Sequence, residues 1–260
     1  MSGATVAETM AGVLVRHLRN GEWGACGAYS QIPMAAFRLA RLTHAPDLWW
    51  LSGGGGALNS EAPIVASSSD EATLVGSEGV FRLEDIVDFE LGGWRRMPTV
   101  GIFGGIQVDR HGNVNMVGVG GTYPRLELRG PGTVGLVFGA YFHRTLIYLH
   151  RHDPRVFVEQ VDFVSSPGHG EARDRHCDPH TTGPELVVTP LAVLDFDDAG
   201  SMRLVSVHRG HTLDEVRERT GFELATVADV GETPEPDPEE LRLLREVIDP
   251  HDALGALRLG

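Results

Sequence analysis

Along the first twenty residues apolar side chains fall at Val6, Met10, Val13, Leu14 and Leu18. That spacing of three and four makes one helical face, and Gly21 stands where such a helix would stop. The period then shortens. "WGACGA" (23–28) predicts a strand, "PMAAFRLARLT" (33–43) a helix with proline in its first turn, and "DLWWLS" (47–52) a second strand. Strand, helix, strand in that order implies parallel pairing across a crossover. Further on, the pattern predicts a helix over 83–93 and strands over 99–108, 134–139, 145–150 and 155–164. A strand pair over 185–197 and 202–208 turns at 198–200. Thr212, three residues before Glu215, predicts a capping box for a helix over 212–221 closed by Gly221. "GETPEPDP" is a linker stiffened by three prolines before a last helix over 237–250, and 165–184 is a long polar loop. There is no internal repeat. The expected class is α/β, an open Rossmann-like mixed or parallel sheet flanked by helices, forming a single domain over 1–260.

Composition narrows the function. The chain has 260 residues, 42% of them hydrophobic, enough for a sizeable core. Its formal net charge is −14, and all 22 basic residues are Arg. A field of that sign disfavours nucleic acid and anionic membrane as partners, although Arg forks and main-chain amides still hold an anion locally. Two cysteines, Cys26 and Cys177, are too few for a disulfide framework and suit a reducing compartment. No apolar run approaches the roughly 20 residues of a membrane helix. The N-terminus lacks the basic start and unbroken apolar core of a secretion signal. A soluble, cytoplasmic protein is expected.

Three glycine clusters carry the candidate chemistry. Gly53, Gly54, Gly55 and Gly56 follow the strand "DLWWLS", at the carboxyl edge where open α/β sheets bind ligands. A plain turn needs one or two glycines; four point to close approach of the backbone to another group, a ligand among the options. Gly104 and Gly105 end another predicted strand, just before a "DRHGN" turn that needs glycine at its positive-φ position. "RGPGTVG" is a loop able to aim amides at an oxyanion or phosphate. None is GxGxxG opening a helix, and none is a phosphate-binding P-loop, so dinucleotide and NTP binding are disfavoured. There is no GxSxG elbow. His176, Cys177 and His180 in "RDRHCDPH" have ligating side chains, but a solvated polar loop explains them better, and no metal site is expected. His143, His150 and His152 are read as turn or surface residues.

Six stretches, in order from about Gly24 to Pro250, together resemble the β-type subunit of family I CoA transferases, of the glutaconate and 3-oxoacid kind: "ARLTHAPDLWWLS", "GGIQVDRHGNVN", "RGPG", "RVFVEQVDFVSSPGH", "SMRLVSVHRGHTLDEVRERTGFEL" and "LRLLREVIDP". In that family a strand ends in Ser-Glu-Asn-Gly, whose Glu attacks the acyl-CoA thioester. The resemblance places Ser52, Gly53, Gly54 and Gly55 there, with Gly53 at the nucleophile's position, and glycine has nothing to attack with. The family's Pro-Gly-Ser-Gly-Gly loop matches Pro131, Gly132 and Gly135; Thr133 and Val134 depart from it.

Two similar branches also lack that Glu. One comprises CoA hydrolases that open the last steroid rings, and "YFHRTLIYLHRHDPRVFVE" looks more like this branch. The other comprises acyl-CoA decarboxylases with Cys at the position. The resemblance therefore implies a β-like subunit of a heteromeric enzyme acting on an acyl-CoA without a covalent acyl-enzyme. Its chemistry would be hydrolytic C–C or thioester cleavage, with decarboxylation, a relocated nucleophile and a purely stabilising subunit as alternatives. It implies an α-type partner in an α2β2 assembly, with coenzyme A entering as part of the substrate and no tightly bound cofactor. A shared cleft would be lined by Ser52, Gly53, Gly54, Gly55, Gly104, Gly105, Pro131, Gly132, Thr133 and Gly135. The base would be a partner carboxylate or, less favoured, Glu61.

Overall fold

A computed structural model describes residues 3–91 and 99–260. The chain folds as two compact units, one comprising Met1–Ile102 with Pro234–Leu259, the other Phe103–Thr233 with Gly260.

In the first unit, helix α1 (Val6–Arg16) buries Met10, Val13 and Leu14 as the spacing predicts. Thr5 caps it: its hydroxyl accepts from the Glu8 amide, and the Glu8 carboxylate accepts from the Thr5 amide. The helix stops at Arg16, five residues before Gly21, which takes φ +77° in the following turn. Strand β1 (Trp23–Cys26), helix α2 (Gln31–Leu42) and strand β2 (Trp49–Ser52) form the expected unit, and β1 pairs parallel with β2. Phe37 of α2 stacks on Trp50 with centroids 5.7 Å apart. A Cβ on Gly24 would run into the Phe37 ring, so glycine in β1 lets the helix lie this low on the sheet.

Beyond β2 come the short strands β3 (Ala57–Leu58) and β4 (Gly79–Val80), helix α3 (Leu83–Glu90) and strand β5 (Val100–Phe103). The strand order of this unit is β5-β1-β2-β3-β4, with β1, β2 and β5 parallel and β3 and β4 antiparallel at the edge. The helix expected over 83–93 ends at Glu90; its last two positions, 92 and 93, lie outside the described residues. The C-terminal segment returns to α1. Arg16 donates to the carbonyls of Pro234 and Glu235, and Arg245 clamps Glu8 at 2.6 and 2.8 Å. The last helix is α-helical over Pro238–Arg242, with Pro238 in its first turn, and continues as π-helix through Leu243–Ile248.

In the second unit, β6 (Gln107–Asp109), β7 (Val114–Asn115), β8 (Gly118–Val119) and β9 (Leu128–Arg129) are short. The strand expected over 99–108 is thus split at Gly104 and Gly105 into β5 and β6. Strand β10 (Arg144–Tyr148) is fully buried, and the Arg144 guanidinium reaches the Glu185 carboxylate at 2.9 Å. Of the strand expected over 155–164 only β11 (Phe157–Val158) pairs, with β6. The polar stretch 165–184 contains helix α4 (Glu171–His176). The expected strand 185–197 is two: β12 (Gly183–Val188) and β13 (Ala192–Phe196) turn back on each other at Thr189, whose hydroxyl accepts from the Leu191 and Ala192 amides.

Strand β14 (Met202–Val207) follows the predicted turn, where Gly200 adopts φ +73°. Helix α5 (Leu213–Glu218) has half the expected capping box: Thr212 accepts from the Glu215 amide, but the Glu215 carboxylate turns to His211 and Arg219. Strand β15 (Ala225–Glu232) completes the order β15-β14-β13-β12-β10. The segment expected as a strand over 134–139 is a 3₁₀ helix, Val134–Ala140. It buries Leu136, Gly139 and Ala140, a helical spacing, while Val134 and Val137 are exposed. The molecule is therefore α/β with mixed sheets and flanking helices. Among the described residues no helix is long and apolar enough to cross a membrane.

Candidate active site

Strand β2 delivers Ser52 fully buried and then loses all side chains. The Gly53 amide donates to the Cys26 carbonyl at 2.9 Å, extending the β1–β2 ladder by one bond. Each glycine that follows is pressed against the chain itself. A Cβ on Gly53 would stand 2.8 Å from the Cys26 carbonyl oxygen and one on Gly55 2.6 Å from that of Ser68, while one on Gly56 would overlap the Phe81 carbonyl oxygen. Gly54 abuts the Ser69 hydroxyl. The run is glycine because its own backbone crowds it. Gly55 and Gly56 donate to the Ser52 carbonyl at 3.2 and 2.8 Å. The Gly54 amide, in an exposed position, has no acceptor among the described residues.

A carboxyl lies beside this turn. Glu90, the last residue of α3, is 6% exposed, and its Oε1 lies 3.3 Å from the point where a Cβ on Gly53 would sit. Burial raises its pKa to about 8. The Cys26 thiol nearby is pushed up by burial and by the Glu90 charge, so it is no thiolate nucleophile at neutral pH.

In the second unit Gly104 and Gly105 are half-buried. Gly105 lines a cleft of about 530 Å³ with Ile106, Val119, Leu149, His150 and Arg155. Burial lowers the His150 pKa and keeps the ring neutral. The Gly132 amide is bonded to the Met116 carbonyl at 3.1 Å, and Gly132 takes φ +99°, a conformation side chains avoid. Thr133 sits 3.4 Å from the Ser165 hydroxyl, and Pro131 is exposed. The "DRHGN" turn forms as expected: Asp109 accepts from the His111 and Asn113 amides, and Gly112 has φ +76°.

No protein-family model matches the chain. It is 34% identical over 221 residues to the cholesterol ring-cleaving hydrolase IpdB subunit of Rhodococcus jostii, covering 84% of this chain and 82% of that one. It is 32% identical over 251 residues to the B-type subunit of 3-oxoadipate CoA-transferase from Pseudomonas knackmussii, covering 94% of each. Among solved structures it superposes on the decarboxylase AibA/AibB with a TM-score of 0.82 at 27% identity, covering 97% of this chain and 98% of that one. The chain belongs to the CoA-transferase family. Its relatives are B-type subunits of heteromeric enzymes, so it is an enzyme subunit of that family.

In this member of the CoA-transferase family Glu61 is exposed. It lies over Gly76 and faces the buried Arg38 guanidinium, and is not among the atoms nearest any glycine of the 53–56 run. His176 and His180 are exposed, Cys177 is half-buried, and among the described residues no group of three His, Cys, Asp or Glu is placed to hold a metal. His152, expected at a turn or on the surface, is instead fully buried, because the fold closes two distant threonines over its ring. Glu90, the buried carboxyl beside Gly53, is a residue that sequence reasoning did not single out. A signal was there, since Ile86, Phe89 and Glu90 share one helical face at spacings of three and four.

Proposed function

We propose that the chain is the B-type subunit of a heteromeric enzyme that cleaves an acyl-CoA without forming an acyl-enzyme, by hydrolytic C–C or thioester cleavage. The observation that carries this reading is the side-chain-free strand end at Ser52, Gly53, Gly54 and Gly55, aligned by resemblance with the family's nucleophile. Without a carboxylate there, no glutamyl thioester forms on this turn. The 34% identity to a ring-cleaving hydrolase subunit favours hydrolysis over transfer. The likeness to a decarboxylase supports a second reading, decarboxylation, which passes through a similar enolate. Either reaction needs a negative oxygen held by amides, and Gly54 has one to offer.

On this reading Gly104, Gly105, Pro131, Gly132, Thr133 and Gly135 are the CoA-contacting residues of the second unit. The partner supplies the base that activates water, and the assembly is α2β2. The test is calorimetry of the purified A–B pair with acetyl-CoA, followed by borohydride reduction and peptide mapping. Binding without a reducible adduct is expected. A reducible glutamyl thioester on either subunit makes the enzyme a transferase with a relocated nucleophile, and absence of binding removes the acyl-CoA reading altogether.

A further inference from the structure

The cleft of the second unit, about 530 Å³, falls inside the range of roughly 300–1,000 Å³ that small-molecule sites occupy. Two pairs of its lining residues stand just past the carboxyl ends of strands: Gly105 and Ile106 after β5, Leu149 and His150 after β10. That is the edge at which α/β sheets collect ligands.

A further wall is an apolar pair. Val119 of β8 and Leu128 of β9 are register partners, so both side chains stand on one face of this two-stranded ribbon, and both line the cleft. Leu128 is 54% exposed. A ribbon of two strands has no core of its own, so an apolar pair on its open face gains from any apolar group that covers it. Charge in the lining sits with the exposed residues Arg151 and Arg155, and Arg155 turns to Asp153 at 3.3 Å. The half-buried His150 ring is neutral.

This cleft is continuous with the residues read above as CoA contacts. Gly105 belongs to both. Leu128 opens strand β9, which runs through Gly130 into the loop Pro131–Gly135, and a Cβ on Gly130 would come within 3.3 Å of the Ile106 Cδ1. We infer that the cleft is the acyl pocket of the enzyme and selects an apolar acyl group larger than acetyl, with Val119 and Leu128 setting the preference. The inference rests on the acyl-CoA reading above and names the substrate class within it. A thioester seated at Gly105 and the Pro131–Gly135 loop sends its acyl chain over Ile106 and the Val119–Leu128 wall.

Apolar transfer sets the size of the effect. Each methylene taken fully out of water tightens binding roughly three- to four-fold. A hexanoyl group has four more methylenes than acetyl. With all four covered the gain is on the order of 100-fold, and with half covered it is about ten-fold. A charge placed in the wall removes the gain, because the wall then holds water that the chain must displace.

The test is calorimetry of the co-purified A–B pair with acetyl-CoA, butyryl-CoA and hexanoyl-CoA. In wild type, affinity is expected to rise along the series, by about ten-fold or more from acetyl to hexanoyl. In Leu128→Asp the ratio of hexanoyl to acetyl affinity is expected to shrink to about three-fold or less. Leu128→Ala, which only trims the wall, is expected to lie between. Equal binding of the three acyl-CoAs by wild type spares the acyl-CoA reading and overturns this inference. A rise that survives Leu128→Asp also overturns it, because the chain then lies elsewhere. So does a folded Leu128→Asp chain that no longer co-purifies with the A-type chain, which places this wall in the interface. Where Leu128→Asp does not fold, Leu128→Ala decides, and a ratio equal to that of wild type sinks the inference. A pair that binds none of the three fails earlier, at the acyl-CoA reading, and takes the inference with it.

Discussion

At the residue scale, Gly53 stands where the surrounding chain leaves no room for a side chain. The Cys26 carbonyl and the Glu90 carboxyl both approach the position where a Cβ would stand, at 2.8 and 3.3 Å. The first contact is with backbone, which gives way only if β1 or the turn moves. Gly53→Glu therefore does not place a free carboxylate nucleophile on this turn. Its first methylene collides with Cys26, and its carboxylate arrives beside a second acid that is already desolvated. Overpacking of this kind costs on the order of 1–3 kcal/mol. For a chain of this size that corresponds to a fall in Tm of roughly 2–12 °C. Thermal melts of the A–B pair should show that fall, and borohydride should trap no thioester at residue 53. A well-folded Gly53→Glu variant with a reducible adduct on the introduced carboxylate would mean that the turn is pliant enough to admit a side chain.

At the scale of elements, one buried histidine ties together the strand and helix ends of the second unit. His152 stacks on Phe157 at 4.0 Å. Its Nε2 lies 3.1 Å from the Thr220 hydroxyl beyond α5, and its Nδ1 2.9 Å from the Thr189 hydroxyl at the β12–β13 turn. Thr220 gives its own proton to the Val216 carbonyl, so it accepts from Nε2–H; the Thr189 hydroxyl can turn its one proton either to the Ala192 carbonyl at 3.3 Å or to Nδ1 at 2.9 Å, and with the ring neutral it donates to Nδ1. A neutral ring satisfies both; a second ring proton would in addition be desolvated in the interior. Burial, with Arg219 next, lowers the His152 pKa to about 3, and burial lowers that of His208, bonded through Nε2 to the Thr189 carbonyl, to about 4. Both folded values lie below the ordinary 6.5, so the unfolded chain binds more protons between them. Stability is complete above about pH 6.5 and falls as pH drops toward 4 and then 3, by at most about 1.4 kcal/mol per pH unit for each histidine. Thermal midpoints of the A–B pair at pH 7 and pH 5 should therefore differ, and His152→Gln should reduce the difference. An equal drop in both proteins would assign the acid sensitivity elsewhere. The sequence hid this ring because two neighbouring histidines in "HRHD" look solvated, and only the fold brings two distant threonines to one of them. The parallel β1–α2–β2 unit was legible, since its periods and Pro33 are local signals. β15 was not: its eight residues are half-buried or exposed, so no alternation marks them. The 3₁₀ segment 134–140 has the composition of a strand, and only its burial spacing distinguishes it.

At the scale of the whole molecule, the chain shows surface that suits a subunit better than a monomer. Within ten residues of the first unit, Leu74, Val75, Val80 and Leu83 are 41, 68, 62 and 71% exposed, around the edge strand β4. An edge strand flanked by bare apolar side chains invites pairing unless something covers it. The relatives named as subunits suggest an A-type chain as the cover. A stable interface buries about 1,200 Å² or more, and truncating a central apolar anchor costs about 2 kcal/mol or more of affinity, roughly thirty-fold in Kd. A charge at such an anchor costs at least as much, because it must be desolvated without a partner. Val80→Glu combined with Leu83→Glu should accordingly abolish co-elution with the A-type partner, while the far-UV circular dichroism of the variant chain stays that of wild type. The isolated wild-type chain should self-associate as its concentration rises, and the double variant less so, since the same surface is unpaired in one and charged in the other. Native mass spectrometry reads both outcomes from one preparation. An intact heteromer carrying both glutamates would show that this edge faces solvent in the assembly and that the partner docks on another face of the 28.1 kDa chain.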